Sequence, residues 1–242
     1  MTTPLAVSAR VAWWGTSWLR GHIVADQLLD ALLTDSVTHV VAGLDDEPLP
    51  IVTALARLRT QGATGFGAAF PAEGDPVGLG GPAVFNADAL DVGEAVVAVG
   101  AGVGLTPRAV GPTYEWRAQP AAPRQLPDVG EADRGLRLAL VEGTQALAAL
   151  DVARWRPEVA DRLLNLRHRP VLDAPPGVPT RCVDLAGRGL QALEIAVLAL
   201  EDDGGAISAA EIGARRAALT PLERAGRRAL VAACSPEVWP PS

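Results

Sequence analysis

The sequence predicts an α+β fold: an N-terminal mixed β-sheet with two or three helices, followed by a C-terminal α-helical bundle packed against it. Three observations lead there. Up to about residue 119 the chain alternates short runs rich in Val and Ala with Gly and Pro turns, the punctuation of short strands and helices. Residues 120–127 then contain Pro120, Pro123 and Pro127 and read as a semi-rigid linker. Beyond it, apolar residues recur at spacings of three and four over long stretches, as in bundle helices. We therefore place a sheet domain at 1–119 and a helical bundle domain at 128–236, joined by that linker and able to form one globule.

Taken in order, residues 6–14 carry Val7, Val11, Trp13 and Trp14, a composition that suits a half-buried strand. Gly15 ends that strand, Thr16 or Ser17 serves as an N-cap, and a helix runs from Trp18 to Leu33 through Leu19, Ile23, Val24, Leu28, Leu29 and Leu32. Residues 37–42, around His39, form a second strand, parallel to the first by the crossover rule. Pro50 opens a helix that Gly62 closes in the left-handed conformation.

Residues 63–70 form a thin strand containing Gly65 and Gly67, and glycine within a strand marks a close approach. The loop at 71–82 alternates Gly and Pro with Val77 and Leu79. It is expected to be ordered, with Asp75 as its polar group of interest. Residues 85–92 form a short helix capped by Asn86. Strands at 94–100, 103–110 and 113–118 make a meander. The glycines at 100, 102 and 104 belong to a hairpin, because a dinucleotide fingerprint needs its third glycine one place later, opening a helix.

In the second half, Asp128 and Glu131 form a capping box, and a second helix starts near Pro157. Residues 180–201 are apolar almost all round and form the centre of the bundle or a homodimer interface. Ser208 with Glu211, and Thr220-Pro221 with Glu223, start two further helices. The Pro-rich end docks Trp239 on the body.

Composition excludes several chemistries. All 21 basic residues are arginine. Without lysine there is no Schiff base, and no P-loop or kinase lysine. The net charge of −7 argues against a nucleic-acid partner. Cys182 and Cys234 match no zinc or redox spacing, and the three histidines lack ligand partners, so neither metal nor cofactor is expected. No run reaches membrane length, no signal peptide opens the chain, and the reading is a soluble cytoplasmic protein.

Function rests on the stretch around Trp13. Trp13, Trp14, Ser17, Trp18, Arg20 and His22, together with Asp75 and Asn86, are the expected ligand-binding residues. They would line a cleft between the halves that takes a small anionic or aromatic ligand. Asp75 and His22 are the acid–base pair should the protein be an enzyme. The alternative is a structural or protein-interaction protein whose tryptophans are core. A helix-turn-helix regulator is the lesser alternative, argued from the arginines of the last two helices.

Overall fold

The computed structural model describes residues 5–149, 171–201 and 209–240. The architecture is α+β, with a six-stranded mixed sheet first and long helices after it. The strands are β1 (Thr38–Ala42), β2 (Leu49–Pro50), β3 (Gly65–Ala69), β4 (Ala95–Val99), β5 (Val103–Val110) and β6 (Thr113–Pro120). Their order is β2-β1-β6-β5-β4-β3. Every neighbouring pair is antiparallel except β1 with β6.

The first stretch is a helix, not a strand. It comprises α1 (Val7–Arg10), a π-helical turn (Val11–Gly15) and α2 (Thr16–Leu19). The reason is packing on both sides. Ala9, Ala12 and Trp13 enter the bundle core, while Val7 and Val11 enter the core beneath the sheet. A helix buried on two faces reads as a continuous apolar run, which periodicity alone cannot separate from a strand. Gly15 is no turn: a Cβ there would stand 2.9 Å from the Phe66 ring. With the first strand gone, the parallel pairing expected between it and β1 goes too.

Nor does one helix run from Trp18 to Leu33. Gly21 turns the chain at φ 77°, and α3 (Ala25–Leu32) restarts beyond it, with the Val24 amide donating to Gln27 Oε1. The helix expected after Pro50 is α4 (Ile51–Thr60), and Gly62 follows at φ 97°. The hairpin joining β4 to β5 and the meander through β6 are as expected. Helix α5 (Ala83–Val92) starts before Asn86, which is therefore not its cap; Asn86 Oδ1 accepts instead from the Gly81 amide.

Side chains alternate along β4. Val96 and Ala98 face a core with α3, α4 and the first helix; Ala95 and Val97 face Phe85 and Ala89 of α5. Among the described residues, the bundle helices are α6 (Val129–Ala149), α7 (Thr180–Glu201) and α8 (Ala209–Ala233). Asp128 caps α6, accepting from the amides of Gly130 and Glu131. Helix α7 packs on α8 where Gly189 meets Gly226: a Cβ at either would press on the other's carbonyl at 3.0–3.1 Å. Helix α8 runs unbroken through Pro221, so Thr220 starts nothing and the helix-turn-helix has no turn. The Thr220 hydroxyl donates to the Arg216 carbonyl within the helix. The helix expected near Pro157 and the cap at Ser208 lie outside the described residues.

Candidate functional site

Edge strand β3 organises the chemistry of the molecule. Its outward backbone groups are all occupied. Thr16 Oγ1 accepts from the Phe66 amide (2.9 Å) and donates to the Phe66 carbonyl (3.1 Å). The Ala68 amide donates to the Cys234 carbonyl at 2.9 Å. The Ala68 carbonyl accepts from Arg124 Nη1 at 3.0 Å. An open edge is an aggregation template; here the first helix, the linker and the C-terminal segment close it.

Arg124 is the centre of that closure. Its side chain is 1% exposed. Nη1 donates to the carbonyls of Ala68 and Gly78, and Nη2 to Ser235 Oγ and, at 2.6 Å, to Glu237 Oε1. A Cβ at residue 67 would overlap the guanidinium, which is why β3 carries glycine there. Of the five donors, Nε–H alone is buried without an acceptor.

Beside this hub is a pocket of about 340 Å³. Val97, Val99 and Gly102 of the β4–β5 region form one side, and Ala121, Pro123 and Leu126 of the linker form another. Glu237 is the charged side chain in its wall; Arg124 borders it through its backbone, its guanidinium being buried in the hub. The lining is largely apolar with one carboxylate at its border, and small-molecule sites are mostly apolar too.

The residues expected from the sequence fall into three places. Trp13 is fully buried and donates from Nε1 to the Ala233 carbonyl at 3.0 Å. Ser17 is buried and donates to the Pro176 carbonyl at 2.6 Å. Trp14 and Trp18 are half-buried, whereas Arg20 and His22 are exposed. The Arg20 guanidinium stands 5.4 Å from the centre of the Trp239 ring, and His22 lies against Gly177, where a Cβ would come within 2.5 Å. These six belong to one helix and its exit.

Asp75 is elsewhere. It is 4% exposed and takes Arg228 Nη2 on Oδ1 (3.1 Å) and Arg227 Nη2 on Oδ2 (3.5 Å), so it fastens the 71–82 loop to α8. Asn86 sits at Gly81. Among the described residues no contact joins Asp75 to His22.

A second polar cluster has the outline of catalytic machinery and fails on one proton. Ser36 Oγ lies 2.8 Å from His39 Nε2, and Trp116 Nε1 donates to His39 Nδ1 at 3.2 Å. Indole nitrogen only donates. Nδ1 is therefore the acceptor, and the ring proton is on Nε2, pointing at Ser36. A Ser–His dyad needs the opposite tautomer, with Nε2 free to take the serine proton. Burial, aided by Arg10, lowers the His39 pKa to about 4, which keeps that neutral form. Arg10 itself bridges both Asp35 oxygens at 2.8 Å and reaches the Leu32 carbonyl at the end of α3. The Glu94 carboxylate accepts from the Ser8 amide in the first turn of α1. Burial raises its pKa, against the pull of Ser8 and Arg10.

Two profiles match the chain in tandem: the N-terminal domain of Rv1486c-like proteins over residues 8–129 and the C-terminal domain over 130–231. The chain belongs to the Rv1486c-like family. It is similar to two proteins of Mycobacterium tuberculosis strains, entitled uncharacterised protein Rv1486c and uncharacterised protein MT1533. Each is 28% identical, with 96% of this chain and 98% of the relative covered. No solved structure matches. The boundary between the two family domains coincides with the start of α6. Among the described residues, no helix is long and apolar enough to cross a membrane and no three ligand-type side chains converge on a metal site.

The sequence reading missed Arg124 and Glu237. A lone arginine inside a Pro-rich linker is a weak signal, and its partner is 113 residues away. The glycine of β3 opposite it was the one visible trace.

Proposed function

We propose that this protein binds a small molecule in the pocket between the β4–β5 turn and the linker. The observation that supports this is the pocket itself: about 340 Å³, largely apolar, with the Glu237 carboxylate at its border. That volume lies within the range of small-ligand sites. The site differs from the Trp-lined cleft expected from the sequence, whose residues are not among those lining the pocket. Arg20 over Trp239 is where an anionic or aromatic ligand would meet an exposed guanidinium instead.

A thermal-shift screen of nucleotides, coenzymes, amides and organic acids tests the reading. A ligand at one hundred times its dissociation constant adds about 2.7 kcal/mol, a shift of several degrees at this size. Ala122→Trp, which fills the pocket from its half-buried lining position, abolishes the shift. A hit that survives this variant, or no hit at all, defeats the proposal.

The interaction-protein reading is supported by a different fact: Trp13 and Trp116 are core residues with their N–H groups bonded inside. A homodimer through residues 180–201 would use what α7 leaves exposed, chiefly Val197 at 49%. A cytoplasmic location fits the two buried, unpaired thiols.

A further inference from the structure

We propose that the pocket takes a hydrocarbon-like ligand, an uncharged group that makes no hydrogen bond inside it and leaves any polar part outside in water. This rests on the ligand-binding reading above and adds the ligand's chemical class.

Two observations carry it. The first is where the polar groups of the walls go. The Ala121 amide donates to the Gly102 carbonyl and the Ala122 amide to the Gly81 carbonyl, both at 2.8 Å, and Pro123 has no N–H to give. The carbonyls of Ala122 and Pro123 lie against Gly80, where a Cβ would come within 2.7 and 2.3 Å of their oxygens. On the opposite side the Val99 carbonyl takes the Thr64 amide at 2.8 Å, and Val97 is paired with Gly67 of β3 and Gly104 of β5. A ligand group that needed a hydrogen bond would find none of these free, and would lose its water without return.

The second is the fate of the charges. Arg124 borders the pocket through its backbone, and its side chain, 1% exposed, is spent on the carbonyls of Ala68 and Gly78. It also takes Glu237 Oε1 at 2.6 Å, so the charged side chain at the border already has its counter-ion. An anion would be desolvated beside that carboxylate, and a cation would compete with a guanidinium already seated on it. What remains is hydrocarbon. Val97 and Val99 project to the same side of β4 and form one side, with Ala121, Pro123 and Leu126 on the other. An apolar group gains there by leaving water and meets neither cost.

The test uses the full chain and four probes that share one ring: toluene, benzamide, benzoate and benzylamine. NMR follows the backbone amides of Gly102 and Ala122. The expected result is that toluene shifts both and binds at least about ten-fold more tightly than each of the others, which must bury a polar head without a partner. Two variants fill the pocket from opposite sides, Ala122→Trp and Val99→Phe. Each one that keeps the folded amide spectrum should abolish toluene binding.

Preferred binding of benzamide, benzoate or benzylamine at the same amides overturns the ligand class and leaves the pocket reading standing. So does a pocket ligand from the wider screen when none of the four probes binds. Toluene binding that survives in a folded, filled variant lies elsewhere and also overturns the class. If no probe binds and the wider screen finds no pocket ligand, both fall.

Discussion

Trp13 and Trp239 donate to the same oxygen. Each indole Nε1–H lies 3.0 Å from the carbonyl of Ala233, the last residue of α8. Helix ends leave carbonyls without partners; here one is taken twice, by a residue of the first helix and by one of the C-terminal segment. The two indoles differ in burial, Trp13 being fully buried and Trp239 half-buried. Trp239→Phe keeps an aromatic ring but loses the N–H, and should cost about 1 kcal/mol, the worth of one hydrogen bond. Trp13→Phe also leaves a gap in the bundle core and should cost about 2–4 kcal/mol. Urea unfolding measures both. Equal costs would mean that the difference in burial does not separate the two as described.

Thr16 should be the most sensitive small residue of the first helix. Thr16→Val is nearly isosteric but strips both hydrogen bonds from the buried backbone of Phe66. The expected loss is about 2–3 kcal/mol, and Thr16→Ser should recover most of it. If valine is tolerated within about 0.5 kcal/mol, the hydroxyl is not closing the β3 edge.

Stability should fall in mild acid through His39. Its folded pKa of about 4 lies below the ordinary histidine value of 6.5, so the unfolded chain binds more protons between those values. Stability therefore rises with pH across that window. It is fully present above about pH 6.5 and lost as pH falls towards 4, by about 3 kcal/mol at most. Urea midpoints at pH 7.5 and 4.5 should show the drop. His39→Gln, which supplies an acceptor for Trp116 and a donor for Ser36, should flatten it; an unchanged slope would assign the drop to other groups.

Glu94 acts with the opposite sign. Its pKa is raised in the folded state, so its contribution is present below the unfolded value and declines as pH rises through the folded one. At pH 7, Glu94→Gln should be neutral or stabilising, since an amide oxygen still accepts from Ser8. Glu94→Ala should cost about 1 kcal/mol as a lost helix cap. A destabilised Gln variant at pH 7 would show that the charge itself is needed.

Ser36 should be inert to a fluorophosphonate probe at pH 7, because the proton on His39 Nε2 points at it. Labelling of Ser36, read by mass spectrometry and abolished in His39→Gln, would reverse the tautomer assignment.

Elements with local signals were legible. Helix α4 between Pro50 and Gly62, the Asp128 cap and the β4–β6 meander each follow from turn and cap chemistry within a few residues. The first helix was not legible, because Val and Trp packed on two sides look like a strand. Helix α8 was not either: Thr220-Pro221 is a good helix start by local rules, yet packing against α7 carries the helix through it. Asp75 stood out in its Gly/Pro loop as a polar group, but the partners that hold it, Arg227 and Arg228, come from another element.

The sequence alone determined the class, the order of sheet and bundle and the absence of lysine chemistry. These depend on composition and on neighbours close in the chain. Tertiary structure decided what the polar groups do. Arg124 and Glu237, Trp13 and Ala233, and Ser36, His39 and Trp116 acquire roles only once desolvated together, where a hydrogen bond made or left unmade outweighs any local preference.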